Sequence, residues 1–300
     1  MTVPLSLSVV ITNYNTAALT RRCLQGIHDH FASPPAEVIV VDDASKEKLR
    51  GLVPPETTVI ENATNQGYVR SVNIGVARAT SDLVLLLDSD ATPLSDAMAA
   101  AIARFSSNPR LGALGFHLVD QAGARTGASQ PEPRAWGLAV GQQLEARLLS
   151  YVERVSSPRF TIHSCALAFR RATFLEVGGF DEGFDFLDAD TDFSMRLWRA
   201  GWELEMEEDA RIFHEGSGSP QTTTRRVIRF HVNRWRLLEK HGLISHPGLL
   251  KGALAARHLA ELVWLKGRAR FHSGDRGTWL DKASGRRQLL STVWRSYRSP

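Results

Sequence analysis

Two carboxylates spaced i, i+2 close the apolar run Leu83-Val84-Leu85-Leu86-Leu87-Asp88-Ser89-Asp90. Side chains alternate along a strand with period two, so Asp88 and Asp90 would leave a sheet edge on the same side, close enough to share one hard cation. An apolar strand of this kind is buried on both faces of a parallel α/β sheet, and such sheets hold ligands at the carboxyl ends of their strands. The competing reading is local, because Asp-x-Asp also caps helices and closes turns. A second pair of acids, Asp42 and Asp43, ends the run Glu37-Val38-Ile39-Val40-Val41 in the same way. Acids at two strand ends suit hydrogen bonding to a base or ribose together with phosphates bridged through a metal. Oxygen ligands and a diphosphate favour Mg²⁺ or Mn²⁺ over zinc. The first strand ends in Thr12-Asn13-Tyr14-Asn15 rather than Gly-x-Gly-x-x-Gly, which argues against a dinucleotide site, and no Gly-x-x-x-x-Gly-Lys-Ser/Thr phosphate loop occurs.

Those acids need a sheet to carry them, and the chain supplies its signals in order. Residues 7–12, 37–43, 57–61 and 83–88 read as strands, and 17–31 and 68–79 carry helical periodicity between them. Such alternation means right-handed βαβ units on a mostly parallel, Rossmann-like sheet flanked by helices, an α/β fold. A helix is expected over 93–106, opened by Asp90-Ala91-Thr92 with Pro93 in its first turn, and a strand over 111–119. Residues 120–134, rich in Gly, Pro, Ser and Gln, read as a long loop. A strand over 160–169, a short helix over 171–177, a turn at Gly178-Gly179 and a helix over 188–200 follow. Short strands at 202–206 and 210–213, a loop over 214–224 and helix beyond Arg225 complete the expectation.

Three hundred residues can bury a large core. Cys23 and Cys165 sit in apolar surroundings at no metal-ligand spacing and read as buried, reduced thiols. Neither a basic N-terminal segment leading into an apolar core nor an uninterrupted apolar run of membrane-spanning length is present, so the expectation is a soluble, unsecreted, cytoplasmic protein. The net charge of +4 conceals a split: from Arg225 onward there are 17 Lys+Arg against 4 Asp+Glu, and before it 19 against 28. A basic tail on an acidic body points to an anionic partner. No zinc spacing, RNP-like motif or basic-leucine heptad accompanies it, which argues against nucleic acid, whereas a phospholipid surface or lipid-diphosphate acceptor fits the phosphate site.

Taken together, Val9-Val10-Ile11-Thr12-Asn13-Tyr14-Asn15, Val40-Val41-Asp42-Asp43-Ala44-Ser45, Asn65-Gln66-Gly67-Tyr68, Asn73-Ile74-Gly75 and Asp88-Ser89-Asp90 fall in a recognisable order. Val177 to Phe184, Asp190-Thr191-Asp192-Phe193-Ser194-Met195-Arg196 and His214 continue it. The chain resembles the family 2 glycosyltransferases of GT-A fold, in particular their non-processive, rhamnosyltransferase-like members. The resemblance implies that Thr12 and Tyr14 flank a nucleotide base and that Asp43 hydrogen-bonds it, with Asn13 and Ser89 in the same nucleotide-sugar site. It implies that Asn65, Gly67 and Arg70 lie in the segment closing over the nucleotide, where helix capping by Asn65 is a compatible alternative. Asp88 matches the ribose and outer-sphere metal contact, Asp90 the direct metal ligand and His214 the histidine that completes the metal site.

Asp190 matches the catalytic base. The family's Glu-Asp-x-Asp appears here as Ala189-Asp190-Thr191-Asp192, so the glutamate is missing. Asp188 is one residue too early to replace it directly, since a helix turns about 100° per residue. On the acceptor side stand Gly179 and Phe180 in the turn, together with Asp188, Asp192 and Arg196. The i, i+4 spacing of Asp192 and Arg196 is that of a helix-surface ion pair, with a positioning role for Arg196 as the alternative. Trp198 and Trp202 read as core rather than sugar platforms. Arg234-Trp235 faintly echoes a processive-synthase element but lacks its glutamine, and reads as part of a basic helix.

The implied activity is inverting, metal-dependent transfer from a UDP-, dTDP- or GDP-sugar to a hydroxyl of a glycan or lipid-linked acceptor in cell-envelope synthesis. Two rivals are a sugar-nucleotide pyrophosphorylase, which would need a Gly-rich basic loop where Asn13-Tyr14-Asn15-Thr16 stands, and a non-catalytic nucleotide-sugar-binding protein. The expected organisation is a catalytic domain over 1–224, with a nucleotide half to about 119 and an acceptor half beyond, and a basic helical extension over 225–300. The loops at 120–134 and 214–224 are expected to order around the donor. Residues 249–265 are partly amphipathic, suited either to packing on the catalytic body or to peripheral contact with the inner face of the plasma membrane.

Overall fold

The computed structural model describes residues 5–141, 144–145, 159–215, 223–271 and 276–296. Two compact units are present, Met1–Glu132 with Arg159–Gly218, and Pro133–Pro158 with Ser219–Pro300. The segment after Pro133 thus groups with the C-terminal helices.

The first unit is built on a nine-stranded sheet. Its strands are β1 (Leu7–Asn13), β2 (Glu37–Asp42), β3 (Thr58–Glu61), β4 (Leu83–Asp88), β5 (Ala91–Pro93), β6 (Leu111–Val119), β7 (Arg125–Thr126), β10 (Ala166–Arg170) and β11 (Glu203–His214). They are ordered β3-β2-β1-β4-β10-β6-β11-β5, with β7 paired to β6. A separate two-stranded sheet joins β8 (Ser129–Pro131) to β9 (Phe160–Ile162). The sheet is flanked by helices α1 (Ala17–His30), α2 (Tyr68–Arg78), α3 (Ala97–Ser107), α5 (Arg171–Glu176) and α6 (Ala189–Arg199). β1, β2, β3 and β4 are mutually parallel, as the βαβ alternation requires. β10 then enters antiparallel to both β4 and β6, so the sheet is parallel through its first half and mixed beyond.

Register decides where the chemistry lies. Thr12 is opposite Asp88, Asn13 is opposite Asp42, and His214 is opposite Ala91, next in sequence to Asp90. The β4 side chains from Leu83 to Leu87 are fully buried, as their composition requires. Gly75 of α2 lies so close to Val10 that a Cβ would collide with it, so α2 packs directly on β1. Both cysteines are buried free thiols, and burial raises their pKa.

Four local expectations give way. The helix expected at 93–106 begins at Ala97, where Asp96 accepts from the Ala99 amide as N-cap. Ala91–Pro93 is instead strand β5, and its Pro93 is tolerated because β5 ends the sheet. The strand expected at 160–169 is broken at 163–165 into β9 and β10, which belong to different sheets. The two strands after Trp202 form the single β11, irregular between Glu207 and Arg211. The supposed loop 120–134 contains β7 and β8, too short and polar to register as strands.

The second unit contains α4 (Ala135–Val140), α7 (Thr223–Lys240), α8 (Pro247–Phe271) and α9 (Arg276–Ser296). Leu138, Trp235, Leu238, Leu250 and Leu254 form its core, so Trp235 is a packing residue. Arg257 donates to the Leu138 carbonyl (3.0 Å) and pairs with Glu261 (2.8 Å), which also receives Arg286. Among the described residues, no helix is long and apolar enough to cross a membrane.

Candidate active site

Asp88 ends β4, and Ser89 with Asp90 turns the chain into β5. The two carboxylates are therefore brought together by a turn rather than by strand alternation. β11 returns beside β5 and adds His214, whose Nε2 is 3.5 Å from Asp90 Oδ1. One ligand atom from each of Asp88, Asp90 and His214 falls within 4.8 Å of the others. Asp88 Oδ1 is buried and has no hydrogen-bond partner. Burial, reinforced by the Asp90 charge, pushes the Asp88 pKa up to about 6. The hydrogen bond to Asp90 raises that of His214. Two repelling carboxylates, one with an unsatisfied buried oxygen, beside an imidazole are a donor set that a divalent cation fits.

Along the same edge, Thr12 is half-buried at the end of β1 and Tyr14 is 52% exposed beyond it. Asn13, expected in the donor site, proves to be an internal brace. Its Nδ2 donates to Asp42 (2.7 Å) and Ser45 (3.0 Å), and its Oδ1 accepts from Thr16 (2.9 Å) and Thr20 (2.8 Å), which uses the whole amide. With its hydrogen given to Asn13, Thr16 Oγ1 accepts from Ser89 Oγ (2.9 Å). A recess of about 340 Å³ beside this contact is lined by Asn15, Thr16, Glu47 and Glu215 among others.

Asp43 accepts from the amides of Gln66 (2.7 Å) and Gly67 (2.8 Å) and from Asn62 Nδ2 (2.9 Å), fastening the 62–67 loop. Gly67, at φ +85°, precedes α2 as its N-cap, so capping falls to Gly67 and not to the exposed Asn65. Arg70 is exposed and pairs with Glu182 (3.0 Å). Ala44 (φ +61°) and Asn15 (φ +56°) hold left-handed backbone conformations just past β2 and β1, and for Ala44 this is strained.

Asp190 lies in the first turn of α6, with Oδ2 accepting from the Ser164 amide (3.0 Å) and Oδ1 from the Thr191 amide (2.7 Å). Ser164 gives its amide to Asp190, and the carbonyl of the next residue, Cys165, accepts the Asp88 amide (3.0 Å), so residues 164–165 lie between the two acids. The remaining acceptor-side residues turn inward. Asp192 is fully buried and pairs with Arg196 (2.8 Å), so this is an internal pair rather than a surface one. Arg196 donates onward to the carbonyls of Gly179 (2.6 Å) and Val177, clamping the turn whose Gly178 and Gly179 have φ of +87° and +67°. Phe180 is core, packed with Phe174 and Phe193. Asp188 is buried at the α6 N-cap with φ +64°, its carbonyl accepting from the Asp192 amide (2.8 Å). Trp202 packs against Gly112. Asn73, quoted in the motif without a role, bonds both the N–H (3.0 Å) and the carbonyl (2.9 Å) of Phe180 and ties α2 to this turn.

The family model for Glycosyl transferase family 2 matches residues 8–173, from β1 through β10 into α5. The chain belongs to glycosyl transferase family 2. Relatives include an uncharacterized glycosyltransferase of Haemophilus influenzae, 27% identical over 193 residues, 64% of this chain and 61% of that one. The pre-mycofactocin glycosyltransferase of Mycobacterium tuberculosis is 28% identical over 213 residues, covering 69% of this chain and 42% of its own length. The chain thus spans roughly half the length of the curated relatives it matches. A mannosyltransferase of Pyrobaculum calidifontis, solved with GDP-mannose and Mn²⁺, superposes with TM-score 0.57 at 19% identity, covering 99% of this chain and 89% of that one. GalNAc-T7, solved with UDP, GalNAc and Mn²⁺, gives TM-score 0.57 at 16% identity, covering 95% of this chain and 55% of that one. The fold of this family 2 member is accordingly GT-A.

Proposed function

We propose that this glycosyltransferase moves a sugar from a nucleoside-diphosphate sugar to a hydroxyl acceptor with inversion at the anomeric carbon. The observation that carries the reading is the Asp88, Asp90 and His214 cluster, joined to Asp190 through the main chain of Ser164 and Cys165. Asp90 and His214, with Asp88 behind them, would hold Mn²⁺ or Mg²⁺, which when bound neutralises charge on the departing diphosphate. Thr12 and Tyr14 are suited to the base, while Asp43 keeps the 62–67 loop, with Asn65 and Gly67, folded for the donor ahead of Arg70 in α2. Asp190 takes the acceptor's hydroxyl proton as that oxygen bonds the anomeric carbon and the carbon–diphosphate bond breaks. Attack and departure on opposite faces invert the centre. Mn²⁺-bound nucleotide complexes of two structural neighbours support the donor class.

The acceptor is a glycan or lipid-linked hydroxyl, and a poly-β-1,6-N-acetyl-D-glucosamine synthase among the relatives favours cell-envelope synthesis. Peripheral contact with an anionic inner membrane surface fits α8 and α9. Val263, Trp264, Phe271 and Leu280 are exposed there, beside Lys266, Arg270 and Arg276, and Arg268 stacks on Trp264 and Trp279. Nucleotide release from a panel of UDP-, dTDP- and GDP-sugars, with and without Mn²⁺, tests the activity. Metal-dependent release with one donor is expected, and no release or nucleotide binding with any would reject it.

A further inference from the structure

Between the two walls of the site lies a pair of hydroxyls that none of the roles above uses. Tyr68 Oη donates to Ser164 Oγ at 2.9 Å. Ser164 gives its amide to Asp190 Oδ2 (3.0 Å), and the carbonyl of the next residue, Cys165, accepts the Asp88 amide (3.0 Å). Residues 164–165 therefore bond both the main chain of Asp88 and the carboxylate of the proposed base, leaving the Ser164 side chain to receive Tyr68. On its other side Tyr68 opens α2, immediately after Gly67, whose amide is fixed by Asp43 (2.8 Å). The Tyr68 hydroxyl is buried beside Ser164 and also acts on Asp88 as a hydrogen-bonding neighbour. A continuous path thus runs from the 62–67 loop through Gly67, Tyr68 and Ser164 to Asp190.

We infer that Tyr68 and Ser164 are positioning residues that fix the Asp190 carboxylate relative to the Asp88 edge and couple its placement to seating of the 62–67 loop. The inference rests on the sugar-transfer reading. Neither hydroxyl touches the reacting atoms, and the amide that holds Asp190 comes from the main chain, so deleting either hydroxyl should loosen the base without removing it. Reaction geometry is sensitive enough for this to register in rate, since a misplacement of about 1 Å can cost on the order of 10²-fold.

The test compares Tyr68→Phe, Ser164→Ala and the double variant with the wild-type chain, using the best donor from the panel and Mn²⁺. Each single variant is expected to lose about tenfold in kcat with donor KM and nucleotide affinity within about twofold of wild type. The double variant should be no worse than Tyr68→Phe alone, because Ser164 acts through its hydrogen bond to Tyr68. Equal kcat in wild type and Ser164→Ala, or losses that multiply in the double variant, would overturn the inference. Should Tyr68→Phe fold poorly, Ser164→Ala still decides, because it leaves the ring in place. A wild-type chain without turnover on any donor would overturn the sugar-transfer reading itself, whereas an active chain indifferent to both hydroxyls would overturn only the coupling.

Discussion

The donor edge and the acceptor wall of this site are built on opposite plans. At the donor edge, Asp88, Asp90 and His214 converge with an unsatisfied buried oxygen among them. At the acceptor wall, Asp188 and Phe180 are buried, and Asp192 and Arg196 spend their polar groups on each other and on backbone carbonyls. Asp190, half-buried, turns its carboxylate to the Ser164 amide instead. The contrast teaches that motif residues on one side converge as the proposed ligand set while those on the other brace a turn.

Changes at Asp190 should break the contrast most sharply. Asp190→Asn is expected to lower kcat by about 10²–10⁴, the range of general-base assistance, while nucleotide affinity stays near wild type. Steady-state rates and nucleotide calorimetry check both halves, and unchanged turnover would remove Asp190 from the chemistry. At the acceptor wall the expected effect is on stability instead. Arg196→Met leaves the Asp192 carboxylate buried without its partner and should cost about 3–5 kcal/mol in urea unfolding. A loss within about 0.5 kcal/mol would return this pair to the surface role that its spacing suggests.

Much of the donor edge was legible because strand patterning is strict. The buried β4 could stop only at Asp88, and parallel register sets Thr12 opposite it and Asp42 opposite the next residue, Asn13. Asp90 stands beside Asp88, but a turn and not strand alternation brings it there. The acceptor wall was illegible because an i, i+4 Asp–Arg pair looks the same on a solvated helix as on a buried one, and only the neighbours Val177 and Gly179 reveal the difference. Asn13 and Asn73 were equally hidden, as their partners lie 29 and 107 residues away. β7 and β8 escaped because two- and three-residue strands carry no period.

Smaller effects separate the second unit from the first. Burial, with the nearby His258, Arg257 and Arg286 charges, depresses the His231 pKa to about 3, against 6.5 for the free side chain. Between those values the unfolded chain binds the extra proton, so this contribution to stability declines as pH falls from 6.5 towards 3. Glu261, held below its usual range despite burial by His258, Arg286 and Arg257, adds a loss of the same sign at lower pH. Urea unfolding followed through Trp235 at pH 7 and 5 should show the decline, and His231→Phe should flatten it. For the membrane, co-flotation with vesicles containing anionic phospholipid is expected for wild type and should fall severalfold for the Val263→Glu, Trp264→Glu double variant. Equal flotation of both would move the contact elsewhere or dismiss it.

The most direct test of the whole account is a Mn²⁺ titration by calorimetry in the presence of nucleoside diphosphate, on wild type and Asp90→Ala. Saturable binding that Asp90→Ala abolishes is the predicted result. Identical isotherms for the two proteins would contradict a site in which Asp90 links protein, cation and leaving group.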